Sequence, residues 1–247
     1  MEIPVTTVDS YRDLSRLAAD IVLAGVRLNP QTTLGLAAGE TPVGLYRELV
    51  RCERAGTISF AGVRAFALDE YVGLAAGDGA SFRHFLETHL FSQTSFRAEN
   101  IHGLDGGAAD LDAECARYEE AIEACGGIDL DILGIGLNGH LGFNEPGSNF
   151  ESATRVVELA ESTRGANASH FGGLAHVPRR ALTRGLGTIL RSRKILLLAC
   201  GREKAAIVAE ALHGTPNPNL PASALQSHPA VAVFLSRAPP EPTDLLP

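Results

Sequence analysis

In the segment Gly134-Ile-Gly136-Leu-Asn138-Gly139-His140-Leu-Gly142-Phe-Asn-Glu145-Pro146-Gly147, a histidine stands two residues after an asparagine and five before a glutamate. Imidazole titrates near neutrality, and a carboxylate partner fixes its tautomer and raises its basicity. His140, Asn138 and Glu145 are therefore candidates for acid–base work. A second candidate is Asp69, which with Glu70 ends the apolar run Phe66-Ala67-Leu68. A carboxylate placed there becomes a stronger base if burial raises its pKa. Gly39-Glu40-Thr41-Pro42 separates an apolar run from a helical pattern, and the free N–H groups of such a helix start suit an anion. Arg164 and Lys204 are the candidate cations for that anion. Lys204 opposes the dipole of the helix it opens, which is poor design for stability and serviceable design for an anion site. Each group also has an ordinary structural alternative: a turn cap for Asp69-Glu70, a plain connection for the Gly39 turn, a surface arginine for Arg164.

The elements that must carry these groups alternate. Apolar periodicity predicts a helix over Ser10 to Val26, with Asp9 or Ser10 as cap, and others over Val43 to Ala55, Ser81 to Leu90, Leu111 to Ala124 and Arg202 to Leu212. Short apolar runs predict strands at Thr32 to Ala37, Val63 to Leu68, Leu130 to Ile135, Lys194 to Cys200 and Ala230 to Leu235, with Arg155 to Leu159 a further candidate. Strands alternating with helices imply an α/β fold: a single-domain, open, mostly parallel, Rossmann-like sheet with helices on both faces. Ligands bind such sheets beyond the carboxyl ends of the strands, where all four polar clusters fall. The domain is expected to span residues 1–247, with 238–247 a flexible tail rich in proline.

The formal net charge of −8 argues against a general nucleic-acid binder, which needs a basic patch. Cys52, Cys115, Cys125 and Cys200 are scattered without a CxxC pair, so neither a metal site nor a disulfide framework is indicated. Apolar runs are strand-sized, which excludes a membrane span, and the N-terminus lacks the pattern of a signal peptide. A reduced, cytoplasmic protein is expected. Gly134 to Gly139 also matches GxGxxG, but a dinucleotide site needs a helix at the third glycine, and turn residues follow instead.

Taken together, LGLAAGETPVGLY, ALDEYVGL, DLDILGIGLNGHLGFNEPGSNF, ATRVVEL, STRGANAS, ALTRGLGTIL, GREKA and ALQSHP resemble, in order and over nearly the whole chain, the glucosamine-6-phosphate deaminase family. The pair DEYVGL and NGHLGFNEPGS is the most specific part. The resemblance implies the deaminase/ribose-phosphate-isomerase-like version of the fold, and a small-molecule sugar phosphate as partner. It further implies that His140 helps open the sugar ring, oriented by Glu145 and Asn138, and that Asp69 carries a proton between C2 and C1. Arg164, Lys204, Thr41, Glu40 and the Gly39 loop would surround the phosphate. No metal or organic cofactor is implied.

Three departures from the family pattern carry expectations. Ala38-Gly39-Glu40-Thr41-Pro42 stands where members usually have Thr/Ser-Gly-Ser/Gly-Thr-Pro, so phosphate affinity should be weaker or a different polar group recognised. Asn138 cannot act as a base, leaving His140 dependent on Glu145. Val157 stands where allosteric members have lysine, although Ser148 and Arg155 match, so activation by N-acetylglucosamine 6-phosphate is not expected. A homo-oligomer is compatible with the family, whose members differ in assembly. Galactosamine 6-phosphate is an alternative substrate. A 6-phosphogluconolactonase-like hydrolase shares a Gly-His segment but lacks the Phe143-Asn-Glu-Pro sequel. A sugar-phosphate sensor would not need Asp69 and His140 together.

Overall fold

The computed structural model describes residues 3–75 and 77–246. The chain begins with strand β1 (Val5–Val8) and helix α1 (Tyr11–Leu28), which Ser10 caps by accepting the Asp13 N–H. Strand β2 (Thr33–Leu36), helix α2 (Val43–Arg54), strand β3 (Arg64–Ala67), the short strand β4 (Asp69–Tyr71) and helix α3 (Phe82–His89) follow. Next come β5 (Ile101–His102), α4 (Leu111–Ala124), β6 (Leu130–Gly134), β7 (Arg155–Glu158), α5 (Glu161–Asn167) and β8 (Arg180–Thr183). The chain closes with α6 (Leu186–Leu190), β9 (Ile195–Cys200), α7 (Lys204–His213) and β10 (Val231–Ser236).

Seven strands form a sheet in the order β1-β10-β9-β6-β2-β3-β5, and all its pairings are parallel. Period-two alternation in β9 explains why its sequence reads as an unbroken apolar run. Leu196, Leu198 and Cys200 join one core with α1 and α2, while Ile195, Leu197 and Ala199 join the other with α7. The chain moves from β2 through β3 to β5 in one direction, then returns past β2 to β6, β9 and β10. The switch point therefore lies between the carboxyl ends of β2 and β6, where an open α/β sheet forms its crevice. The Gly39 turn follows β2 and the His140 loop follows β6.

The expected parallel sheet is present, and a second, smaller sheet that the sequence did not announce stands beside it. Asp69–Tyr71 steps off β3 and pairs antiparallel with β8, which pairs antiparallel with β7, making a second sheet of three strands. Arg155 to Leu159, a strand candidate, thus belongs outside the main sheet. The strands without a sequence expectation, β1, β4, β5 and β8, have two to four residues each, too few to display a period. The small sheet packs Tyr71, Leu159 and Ala181 with Phe143 from the His140 loop, so it supports the crevice from one side.

In the C-terminal segment, expected to be flexible, a one-turn helix at Pro242–Asp244 is closed by reciprocal Glu241 and Asp244 caps. The Arg47 guanidinium on α2 donates to the carbonyls of Thr243, Asp244 and Leu246. Among the described residues, no helix is long and apolar enough to cross a membrane.

Candidate active site

Antiparallel register puts Asp69 opposite Thr183. The Thr183 hydroxyl accepts the N–H of Phe143 at 3.2 Å, tying the small sheet to the His140 loop. Gly142 makes that approach feasible. Its φ is +57°, and a Cβ there would lie 3.1 Å from Asp69 Oδ2 and 2.9 Å from Thr183 Oγ1. The carboxylate of one cluster therefore lies against the backbone of the other, although 70 residues separate Asp69 from Gly139 in sequence. Burial pushes the Asp69 carboxyl up to about 8, the neighbouring Glu70 adds to the rise, and Arg184 opposes it.

Glu70 does different work. Its oxygens accept the N–H groups of Tyr71 (2.9 Å), Phe82 (3.0 Å) and Arg83 (2.9 Å), so it fastens β4 to the first turn of α3. Burial raises its pKa, while these N–H groups lower it. The cap role considered for both acids holds for Glu70; Asp69 faces the His140 loop instead.

The His140 imidazole lies on the Cα of Gly136: a Cβ at that position would come within 2.3 Å of the ring. The Asn138 side-chain Oδ1 accepts the His140 backbone N–H at 3.2 Å, and its Nδ2 donates to Glu145 Oε2 at 2.9 Å. Glu145 also accepts the Thr163 hydroxyl on its other oxygen. Glu145 Oε2 is 3.8 Å from His140 Nδ1, beyond hydrogen-bond range, and Nδ1 is buried with no partner among the described residues. Burial lowers the His140 pKa, Glu145 pulls it up, and Lys204 lowers it again. The net direction is downward, so the ring is neutral at pH 7 and forms no ion pair with Glu145.

Two tyrosines position the Gly39 turn. The Tyr11 hydroxyl lies 3.0 and 3.1 Å from the carbonyls of Glu40 and Thr41 and accepts the Gly44 N–H at 2.7 Å, while the Tyr46 hydroxyl donates to Ala37 O at 2.6 Å. The turn crosses the end of β6 to meet the end of β9, where the Thr41 side chain hydrogen-bonds Cys200. Glu40 is exposed, and its backbone carbonyl is what meets Tyr11. Lys204 Nζ donates to Ile135 O at 2.8 Å, and burial lowers its pKa. Gly39, Thr41, Lys204 and His140 thus gather around the end of β6.

Arg164 behaves differently. Its guanidinium donates to the carbonyls of Leu174 (3.0 Å) and Val177 (3.3 Å), holding together the segment that follows α5. None of these bonds ties it to the Gly39 turn or to Lys204. Among the described residues, no group of three or more His, Cys, Asp or Glu side chains could hold a metal ion. The titratable groups that meet here can pass protons, and the turn at the start of α2 can bind an anion.

Residues 7–233 match the family of glucosamine-6-phosphate isomerases and 6-phosphogluconolactonases. The chain belongs to this family. A glucosamine-6-phosphate deaminase of Bacillus velezensis is 48% identical over 231 residues, covering 94% of this chain and 96% of that one. One from a Geobacillus species is 47% identical, covering 91% and 90%. Among solved structures, a monomeric glucosamine-6-phosphate deaminase superposes with a TM-score of 0.93 at 42% identity, covering 95% of this chain and 98% of that one. A 6-phosphogluconolactonase of Thermotoga maritima superposes at 0.75 with 21% identity over 95% of this chain and all of that one, a likeness of fold alone.

Sequence reading of this family member missed several residues around the site. Thr163 on α5 has no local signal, since only its hydroxyl's contact with Glu145 distinguishes it. Tyr11 and Tyr46 read as core positions of amphipathic helices, and their hydroxyls become visible only when α1 and α2 meet the turn. Asn144, buried, donates to the carbonyls of Leu141 and Arg184 and accepts from Arg155 at 2.8 Å. The run Asn-Glu-Pro could have flagged it.

Proposed function

We propose that this chain is a glucosamine-6-phosphate deaminase, converting glucosamine 6-phosphate and water to fructose 6-phosphate and ammonia. The observation that carries the reading is the contact of the buried Asp69 carboxylate with the backbone of the His140 loop across Gly142. A high-pKa carboxylate and a neutral imidazole at one crevice suit the two proton transfers the reaction needs. His140 Nε2 accepts the proton of the sugar's anomeric hydroxyl and returns it to the ring oxygen as the ring opens. Asp69 then takes the C2 proton and delivers it to C1. The C2 imine that results adds water and releases ammonia, leaving the ketose. Asn138 and Thr163 hold Glu145 beside the imidazole, where its charge raises the basicity of His140. The Gly39-Glu40-Thr41 turn and Lys204 bind the phosphate, using remote binding energy to place the reacting carbons. Arg164 joins them as a second cation once its carbonyl bonds within the α5 segment are exchanged for phosphate.

The same reading makes the chain a single domain over 1–247, acting on a metabolite in the cytoplasm. Its similarity to a monomeric deaminase favours a monomer over the homo-oligomer. Ammonia release is to be measured with glucosamine 6-phosphate, galactosamine 6-phosphate and both N-acetyl forms. Release from the first alone is expected. Release from galactosamine 6-phosphate at a higher kcat/KM reassigns the substrate, and no release from any of them removes the deaminase reading.

A further inference from the structure

Beneath the crevice lies an ion pair that the proposed chemistry does not use. Arg184 and Asp131 have fully buried side chains and face each other in a two-pronged contact, Nη1 to Oδ2 at 3.0 Å and Nη2 to Oδ1 at 2.8 Å. Ser192 adds a hydroxyl to Asp131 Oδ2 at 3.2 Å. Among the described residues, Arg184 is the sole buried lysine or arginine. Glycine at position 35 makes the room, since a Cβ there would lie 2.1 Å from Asp131 Oδ1 and 2.9 Å from Arg184 Nη1. The guanidinium therefore sits over the paired residues Gly35 of β2 and Asp131 of β6.

A buried ion pair is weak evidence of a stability device, because an apolar pair of similar volume often serves as well or better. Its placement here suggests another use. The Arg184 N–H donates to the carbonyl of Leu68, the residue before Asp69, at 3.0 Å. Its carbonyl accepts the Asn144 amide from the His140 loop at 2.8 Å. Among the described residues, Arg184 Nε has no hydrogen-bond partner. We propose that Arg184, clamped by Asp131, is a positioning residue that presents a buried positive charge to Asp69 and so sets the pH at which Asp69 takes a proton.

The groups around Asp69 give the direction. Glu70 on its own strand pushes the Asp69 pKa up and Arg184 pulls it down, both against a large rise from burial. Tyr46 on α2, Tyr71 on β4 and Tyr118 on α4 all feel Asp69 and are themselves held neutral by burial. Asp131 on β6 reaches Asp69 through Arg184, whose charge it partly offsets. Arg184 is thus the favourable charge in an otherwise hostile setting for the ionised base.

The inference rests on reading Asp69 as the base, and its test has a readout apart from turnover. The protonated-carboxyl infrared band of Asp69, assigned by its loss in Asp69→Asn, is titrated in the folded protein. Arg184→Met should raise its midpoint by about 1 pH unit, as loss of a nearby opposite charge does. The double variant Asp131→Leu/Arg184→Met strands no charge, so it carries the test even if the single variant fails to fold, and it should shift the same way. Asp131→Asn should move the midpoint down, and Arg184→Lys should keep it near wild type. The acid limb of kcat/KM for ammonia release should follow the infrared midpoints. A purely structural role slows turnover at every pH without moving either; an unmoved midpoint in the folded double variant overturns the proposal. If the wild type releases no ammonia but the midpoints move as stated, the deaminase reading fails and the electrostatic role stands.

Discussion

Replacing Asp69 with asparagine should stabilise the protein at neutral and alkaline pH while removing turnover. In the folded state the carboxyl titrates at about 8, against 3.8 when unperturbed, and burial is the main cause. Below the lower value both states hold the proton, so the group costs nothing. Between the two values the unfolded chain releases the proton and the folded chain keeps it. Stability then falls as pH rises, by about 1.4 kcal/mol per unit. Above pH 8 the loss is complete. A gap of about 4 units gives a loss of about 6 kcal/mol, and relaxation with water entry at half that effect still leaves about 3 kcal/mol. Either figure is a sizeable part of the roughly 5–15 kcal/mol that holds a domain folded. Asparagine is isosteric with the protonated acid and does not titrate. Urea unfolding of both proteins, from about pH 5 to about pH 9, measures the effect, because other titrating groups cancel in the difference. The variant should gain on the wild type steadily up to pH 8 and hold its lead above it. Parallel stability curves across that range would show that Asp69 is ionised in the folded protein, and the assignment of a high-pKa base would fall.

Four further outcomes follow from the same geometry. Gly136→Ala puts a Cβ 2.3 Å from the His140 ring, so the imidazole must move; kcat should fall by about 100-fold with little change in KM, the signature of a misplaced reacting group. Glu145→Gln should lower kcat more than Asn138→Ala, since only the carboxylate supplies charge to His140; the reverse ranking reassigns the two. Tyr11→Phe removes the hydroxyl that joins Glu40, Thr41 and Gly44, costing about 1–3 kcal/mol of stability by urea unfolding and raising KM several-fold. Restoring Ala38→Thr with Glu40→Ser should lower KM for the sugar phosphate; an unchanged KM means that the exposed Glu40 side chain keeps clear of the phosphate.

Local sequence determined the backbone of this fold. Helices α1, α2 and α4 follow their apolar periods closely, and β9 announces itself as an apolar run because both its faces are covered. The chemistry of the loops was legible for the same local reason: glycines, asparagine, histidine and acids crowd into strand ends where a core would reject them. Tertiary structure decided how those loops meet. No pattern in Asp69–Tyr71 or Arg180–Thr183 says that they pair with each other, because strands of three and four residues show no period and their partner is over 100 residues away. That pairing brings Asp69 to Gly142 and separates its work from that of Glu70. Asp131 sits alone in an apolar strand and Arg184 alone after Thr183. Their pairing, and with it the single buried cation among the described residues, exists only because the fold brings β2, β6 and the end of β8 together with a glycine between them. Residue type and spacing carried the kind of chemistry; long-range register set the distances, and with them the proton affinities on which that chemistry depends.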